Sequence, residues 1–323
     1  MAKETLFDKM NTFFQKKIPY FFILSFDKTK GNVLPLSELD KEDIFFKTPE
    51  HNNLSDIPVK EAHTLWKPLP FAKEKYAQQY DKVMQEIQKG NTYLLNLTCE
   101  SEVATDTELR HIFYKGESKY KLFYKDAFIH FSPEPFVIIE NGKIASFPMK
   151  GTIDGRLEDA ENIILQDEKE LNEQYTIVDL IRNDLSMVAK NVQVEKFRYV
   201  EKLKTNQKEL LAVSSKITGD VREEYGSYPG KIFEKLLPAG SICGAPKQKT
   251  LEIIDEVETH NRNFYTGVWG VYDGNSIDSC VIIRYLEKRN EKYFYKSGGG
   301  ITSNSNFEKE YQELKDKIYA PLY

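Results

Sequence analysis

A lysine at position 150 stands between a proline and a glycine, in the segment Phe147-Pro148-Met149-Lys150-Gly151-Thr152. Pro148 restricts its own backbone, and Gly151 permits a turn or a close approach that most residues refuse. If a lysine held in this way is withdrawn from water, its pKa falls from about 10.4 toward neutrality and its amine becomes a nucleophile. The alternative interpretation is an exposed lysine in the turn after a strand.

A single carboxyl group precedes this lysine by 16 residues: Glu134, between Pro133 and Pro135. A carboxyl group fixed by its neighbours is a candidate general acid or base. An ordinary loop glutamate is the alternative.

Two pairs of glutamates share the same spacing. Glu170 and Glu173 form one pair, Glu310 and Glu313 the other. Spacing i, i+3 places each pair on one face of a helix, and two such faces opposed would offer Mg²⁺ the oxygen ligands that it prefers. The alternative is a solvated acidic face, with Glu313 paired to Lys317 four residues later.

Two glycine-rich turns lead into predicted helices. The first, 238–247, contains Cys243; the second, 297–306, contains Gly298, Gly299 and Gly300. Glycines before a helix expose backbone N–H groups that can bind an anion. Neither turn has the spacing of a nucleotide-binding motif, so the sequence favours a carboxylate or two ordinary tight turns over a nucleotide.

Arg284 lies in an apolar run, Val281-Ile282-Ile283-Arg284-Tyr285, that is predicted to be a strand. A buried guanidinium needs a partner, and it can bind a carboxylate through two parallel hydrogen bonds. A structural ion pair is equally compatible with the pattern.

The composition is that of a globular protein, with 40% hydrophobic, 13% aromatic and 29% charged residues and a net charge of −5. Nothing resembles a nucleic-acid-binding footprint, a signal peptide or a membrane span. Three cysteines without C-x-x-C pairing argue against a disulfide framework or zinc site and favour a reducing cytoplasm.

Strands come mostly in hairpin-like succession, with helices between them in blocks. This order predicts an α+β fold with antiparallel sheets. Residues 1–70 read as a short β-rich segment packed on the same domain, and 71–323 as the catalytic domain. Helices are predicted near 72–90, 158–185, 229–236, 247–257 and 306–318, and strands near 20–26, 93–98, 121–131, 135–140, 143–149, 192–199, 210–218, 265–273, 277–286 and 292–297.

Taken in order, these blocks resemble the chorismate-utilising enzyme family. The resemblance covers about residues 72–323 and includes Phe147–Thr152, Ile177–Asp184, Pro238–Lys247, Ser297–Ile301 and Glu310–Glu313. It implies two antiparallel sheets packed together with helices outside, and chorismate bound through Mg²⁺.

The resemblance also implies a role for each candidate residue. Glu173 and Glu313 would bind the metal directly, and Glu170 and Glu310 through water. The expected contacts to the substrate are Gly151, Thr152, Cys243, Tyr265, Arg284 and the backbone of Gly298, Gly299 and Gly300.

Two positions divide the chemistry within the family. Members that add water to chorismate carry a base lysine where this chain has Leu94. Members that form anthranilate typically carry alanine at the position of Lys150, whereas those that aminate chorismate at C4 carry lysine. The resemblance therefore implies amination at C4 through a covalent Lys150 adduct, with Glu134 as acid/base. Anthranilate formation remains the alternative.

Ammonia is implied to come from a separate glutamine amidotransferase subunit. Two departures from the family pattern stand out: Ala212 occupies the position of a histidine thought to assist departure of the hydroxyl, and Cys243 that of a threonine. They leave open a chorismate-binding subunit of low activity. The feedback motif Leu-Leu-Glu-Ser is not found in the sequence, so regulation by tryptophan is not expected.

Overall fold

The computed structural model describes residues 4–55, 65–204 and 209–319. The helices of these ranges are α1 (Leu6–Gln15), α2 (Lys73–Gln88), α3 (Leu109–Lys115), α4 (Ala160–Gln166), α5 (Glu168–Ser186), α6 (Pro229–Leu236), α7 (Lys247–Val257) and α8 (Phe307–Asp316). None of the helices in the described part of the chain is both long and apolar enough to cross a membrane.

The strands fall into two sheets. They are β1 (Tyr20–Leu24), β2 (Gly31–Pro35), β3 (Ile44–Lys47), β4 (Lys67–Leu69), β5 (Leu94–Ala104), β6 (Tyr120–Tyr124), β7 (Phe128–Ser132), β8 (Pro135–Glu140), β9 (Lys143–Ser146), β10 (Met149–Asp154), β11 (Ala189–Lys204), β12 (Glu209–Val221), β13 (Gly244–Ala245), β14 (Val268–Tyr272), β15 (Ile277–Val281), β16 (Tyr285–Arg289) and β17 (Lys292–Thr302).

The first sheet runs β10-β12-β9-β8-β15-β14-β1-β2, with β11 also paired to β12. The second runs β13-β5-β17-β16-β7-β6-β3, with β4 paired to β5. Every pair of strands within the described ranges is antiparallel. The predicted α+β fold with two antiparallel sheets is confirmed.

Apolar side chains from both sheets form the layer between them. Phe21 and Trp269 of the first sheet pack with Tyr120, Phe128 and Tyr285 of the second, and all five are buried. The outer face of the first sheet is covered by α1, α5 and α6, and that of the second by α2, α7 and α8. The helices therefore lie outside the sheets, as predicted.

Several predicted elements are divided more finely than the sequence indicates. The helix expected over 158–185 is two helices, because the side chain of Asp167 accepts a hydrogen bond from the N–H of Glu170 and starts α5 afresh. The strand expected over 121–131 is the hairpin β6–β7, turned at Lys125 and Asp126 with positive φ. Residues 143–149 likewise end one strand, β9, and begin another, β10.

Two further expectations are corrected. The opening segment contains the helix α1, whose N-terminus is closed by a capping box between Thr5 and Asp8. Arg284 does not lie within a strand: the run expected over 277–286 breaks between β15 and β16, and Arg284 has a φ of 51° where the chain passes from the first sheet to the second. β1 and β2 belong to the first sheet and β3 and β4 to the second; the division into domains stays a prediction.

Candidate active site

Lys150 lies on β10 at an edge of the first sheet. The register between β10 and β12 shifts between Lys150 and Thr152, which makes Gly151 the extra residue of a β-bulge. Gly151 has a φ of +73°, and a methyl group there would lie 2.8 Å from Oε2 of Glu170. Both observations require glycine at this position, and they place the bulge against α5.

The Lys150 ammonium faces the acidic helix and the glycine strand together. Its Nζ is 3.9 Å from Oε2 of Glu173, and both side chains are largely buried, at 20% and 15% exposure. A methyl group on Gly300 of β17 would lie 3.7 Å from the same Nζ and 3.0 Å from the side chain of Leu94. Lys150 is therefore not an exposed turn lysine, and Leu94 and Lys150 both approach Gly300.

The second glutamate pair reaches the same strand one residue earlier. A methyl group on Gly299 would lie 3.5 Å from a carboxylate oxygen of Glu310 and 3.5 Å from one of Glu313. Glu310 is buried, and Glu313 forms the i, i+4 ion pair with Lys317 at 2.7 Å. Glu313 therefore forms the ion pair of the alternative interpretation, and it also lies beside the glycines.

The glycine strand leaves backbone groups available on one edge. Gly298, Gly299 and Gly300 pair with β5, whereas the pairing of β17 with β16 ends at Lys296. Within the described residues no strand covers the other edge of these glycines. Lys317 donates to the carbonyl of Gly298 there, at 2.8 Å. An uncovered row of backbone groups suits the predicted binding of a carboxylate.

Glu134 lies between β7 and β8, where burial raises its pKa to about 7. The positive charge of Lys150 and a hydrogen bond from the hydroxyl of Ser241 act in the opposite direction. A carboxyl group that ionises near pH 7 is well matched to acid/base catalysis. Glu134 is thus brought into the electrostatic range of Lys150, as the interpretation of the pair requires.

The remaining candidates surround this centre less closely. Cys243 is fully buried, and burial raises its pKa to about 12, so the thiol stays protonated. Tyr265 is buried in the layer between the sheets, and its pKa is raised by burial. The guanidinium of Arg284 lies 5.4 Å from the ring of Tyr319, and within the described ranges it forms no ion pair. For Thr152 only the backbone is described; it pairs with Ala212.

Magnesium stays a prediction. In the described part of the chain, no three histidine, cysteine, aspartate or glutamate side chains are grouped closely enough to hold a metal ion. The donor set nevertheless has the chemistry that suits a hard cation, because four carboxylates approach the Lys150 and glycine region from two helices.

Sequence reasoning missed three groups that shape the site. Ser241 of the first glycine turn lowers the pKa of the Glu134 carboxyl group. Gln174 is fully buried and donates both to the carbonyl of Pro148 and to Ser215, which fixes the strand before Lys150. Asp184 binds Lys247 at 2.7 Å below the same turn. Ser241 and Lys247 belong to a motif that the sequence singles out, but nothing in that motif says which of its side chains acts on Glu134.

Comparison with known proteins places this chain in a family. The model of the family described as chorismate binding enzyme matches residues 25–323, so the chain belongs to that family. An uncharacterized PabA-like protein of Haemophilus influenzae is 43% identical and is aligned over 100% of this chain and 99% of its own length.

Relatives with named activities match a smaller part. Anthranilate synthase component 1 of Acetivibrio thermocellus is 32% identical over 78% of this chain and 53% of its own length. Aminodeoxychorismate synthase component 1 of Escherichia coli is 31% identical over 77% and 57%. This chain therefore spans little more than half of these two proteins. The two sequence identities are too similar to indicate which of the two named activities this chain shares.

Solved structures support the fold. Anthranilate synthase component I of Streptococcus pneumoniae gives a TM-score of 0.69 at 26% identity, covering 81% of this chain and 60% of that one. The menaquinone-specific isochorismate synthase MenF of Escherichia coli gives 0.77 at 16% identity, covering 98% and 81%. The second likeness concerns the fold alone.

Proposed function

We propose that this protein is the chorismate-aminating component, component I, of an aminodeoxychorismate synthase. It would convert chorismate and ammonia into 4-amino-4-deoxychorismate for p-aminobenzoate and folate biosynthesis. The observation that carries the proposal is the position of Lys150, which is largely buried, faces Glu173 and Gly300, and lies within the electrostatic range of Glu134.

The chemistry begins with a proton transfer. The Glu134 carboxylate accepts a proton from the Lys150 ammonium, and the free amine adds at C2 of the chorismate ring. The ring double bonds shift, and the C4 hydroxyl departs as water with a proton that Glu134 can supply. Ammonia then adds at C4, the C2–Nζ bond breaks, and the released amine is Lys150 again. The balance is one ammonia consumed and one water formed.

Binding groups surround this centre. The guanidinium of Arg284 and the uncovered edge of Gly298–Gly300 would hold the substrate carboxylates. When bound, Mg²⁺ would be held by Glu170, Glu173, Glu310 and Glu313 and would neutralise the ring carboxylate. Leu94, which approaches Gly300 as Lys150 does, supplies no base for the addition of water, which disfavours isochorismate formation.

The ammonia would come from a separate glutamine amidotransferase subunit. The relative named aminodeoxychorismate synthase component 1 supports this, because a numbered component implies a second one. The partner is expected to raise the rate with glutamine and not the rate with free ammonium.

Anthranilate synthase component I is the second candidate, favoured by the relative of that name at 32% identity. Lys150 argues against it. Incubation with chorismate, ammonium and MgCl₂, followed by chromatography and mass spectrometry, separates the two. We expect aminodeoxychorismate as the product; accumulation of anthranilate would contradict the proposal. If the protein forms neither product, it would be a chorismate-binding subunit, the alternative that Ala212 and Cys243 leave open.

A further inference from the structure

One face of α5 contacts the strand of Lys150 in reverse order along the chain. Glu170 lies against Gly151, where a methyl group would be 2.8 Å from its Oε2. One turn later, Oε2 of Glu173 lies 3.9 Å from Nζ of Lys150. Gln174 shares this face, because it follows Glu170 by four residues. The next contact of the face is therefore expected just before Lys150 in the chain.

Gln174 makes that contact through its side-chain amide. The side chain is fully buried, and Nε2 donates to the carbonyl of Pro148 at 3.2 Å and to Oγ of Ser215 at 2.8 Å. The same carbonyl accepts the backbone N–H of Ser215 at 3.1 Å. Oγ of Ser215 also accepts the N–H of Arg198 at 3.1 Å. One amide thus connects α5 to the residue before β10, to β12 and to β11.

The β-bulge makes this connection important for Lys150. β10 pairs with β12 at Met149 and Lys150, and the register then shifts before Thr152. A bulge disrupts the ladder locally and lets the strand bend, so the ladder beyond Lys150 holds it less firmly. In the proposed reaction the bonding of Lys150 itself changes, whereas a neutral amide keeps its hydrogen bonds throughout. Gln174 is therefore the contact of this face that stays constant.

The amide of Gln174 is not arranged for stability alone. Within the described residues its Oε1 has no hydrogen-bond partner, so the amide acts on its surroundings only as a donor. A buried acceptor without a partner costs free energy, which offsets the gain from the two donated bonds. Methionine, a flexible side chain of similar length, removes the donor and the unpartnered oxygen together. A change in rate can therefore be separated from a change in stability.

We propose that Gln174 is a positioning residue that holds the Pro148 carbonyl against α5 and so keeps Lys150 beside Glu173. The proposal rests on the proposed function for its kinetic consequence. Its structural consequence, a more exposed Lys150 when the amide is removed, needs no chorismate.

The kinetic test compares Gln174→Met with the wild type in chorismate amination. Moving a reacting group by about 1 Å can cost about 100-fold in rate, so we expect kcat to fall by about 10- to 100-fold. KM for chorismate should change little, because the proposed substrate contacts at Arg284 and Gly298–Gly300 lie on other segments. Unchanged kcat in Gln174→Met overturns the proposal.

Gln79→Met is the matched control. Gln79 of α2 is also a buried helical glutamine, 4% exposed, but both ends of its amide are paired. Nε2 donates to Oγ1 of Thr259 at 3.3 Å, and Oε1 accepts from Sγ of Cys99 at 3.4 Å. We expect Gln79→Met to lower Tm more than Gln174→Met does while kcat stays at the wild-type value. If the loss of kcat follows the loss of Tm in both variants, Gln174 has only a structural role and the proposal fails.

The second test is independent of turnover. Timed acetylation by an N-hydroxysuccinimide ester, followed by peptide mass spectrometry, reports how accessible Lys150 is in the protein alone, with the exposed Lys143 as internal reference. Lys150 is 20% exposed, so its acetylation relative to Lys143 should rise several-fold in Gln174→Met and not in Gln79→Met. If the wild type forms no aminated product, the proposed function fails while this ratio still decides the role of Gln174. An unchanged ratio in Gln174→Met overturns it.

Discussion

Glu134 and Lys150, the proposed acid/base and nucleophile, both lie where water is scarce. Burial disfavours the charged form of Glu134, whereas the Lys150 charge favours it, and the balance leaves the pKa of Glu134 at about 7. Such a group exchanges protons near neutral pH, and an exposed glutamate would not. Its local sequence, Pro133-Glu134-Pro135, indicates restraint but not burial.

Glu134→Gln should abolish amination and stabilise the fold above neutral pH. The glutamate pKa rises from its ordinary 4.5 to about 7 on folding, so the folded protein binds this proton more tightly. Ionising Glu134 therefore lowers stability progressively as the pH rises from about 4.5 to about 7. Glutamine removes that cost. We expect a higher Tm than wild type at pH 8 and no difference at pH 4, together with a loss of rate of at least about 100-fold. A lower Tm at pH 8 would contradict this account.

At the scale of elements, the β-bulge at Gly151 lets β10 pack closely against α5. Three of the four glutamates pack against glycines: Glu170 against Gly151, and Glu310 and Glu313 against Gly299. The i, i+3 spacing was enough to predict that each pair shares a helix, because that periodicity is local. It gave no sign of the restart of α5, which depends on a separate local contact, the cap between Asp167 and the N–H of Glu170. It gave no sign of the strand break at Arg284 either, since a crossover between sheets depends on contacts distant in sequence.

Gly151→Ala should lose activity through two effects. The φ of +73° disfavours a side chain by about 1–2 kcal/mol, and the new methyl group, 2.8 Å from Oε2 of Glu170, would displace that carboxylate. Gly142→Ala is the matched control, because Gly142 has a φ of +74° with nothing within 4 Å. Both variants should melt slightly below the wild type, but only Gly151→Ala should lose most of its turnover. Equal turnover in the two variants would show that the contact with Glu170 is unimportant.

At the scale of the molecule, Arg262 ties together segments that are far apart in the chain. Its side chain is 2% exposed and pairs with Glu258, 3% exposed, at 2.6 Å. It also donates to the carbonyls of Asn96 and Ile242, so it joins β5 to the turn that carries Ser241. The two-sheet architecture could be predicted from the succession of hairpins in the sequence. The junction at Arg262 could not, because no local pattern predicts its contact with Asn96, 166 residues away.

Arg262→Ala should be severely destabilising. Removing one partner of a buried ion pair leaves an uncompensated charge and costs about 3–5 kcal/mol. Arg182→Ala provides the comparison: its pair with Asp179, at 3.4 Å, is 49% and 67% exposed and should contribute about 0–1 kcal/mol. Urea unfolding at pH 7 measures both. Similar losses in the two variants would show that the buried junction does not stabilise the fold.

The most direct test of the central claim is the product formed from chorismate, ammonium and MgCl₂ by Lys150→Ala beside the wild type, with Lys143→Ala, at an exposed lysine, as control. If Lys150 is the nucleophile, the wild type and Lys143→Ala form 4-amino-4-deoxychorismate and Lys150→Ala loses nearly all of it, while mass spectrometry detects an adduct on Lys150 only in the first two. Lys150→Ala that aminates chorismate at C4 at the wild-type rate would contradict the account.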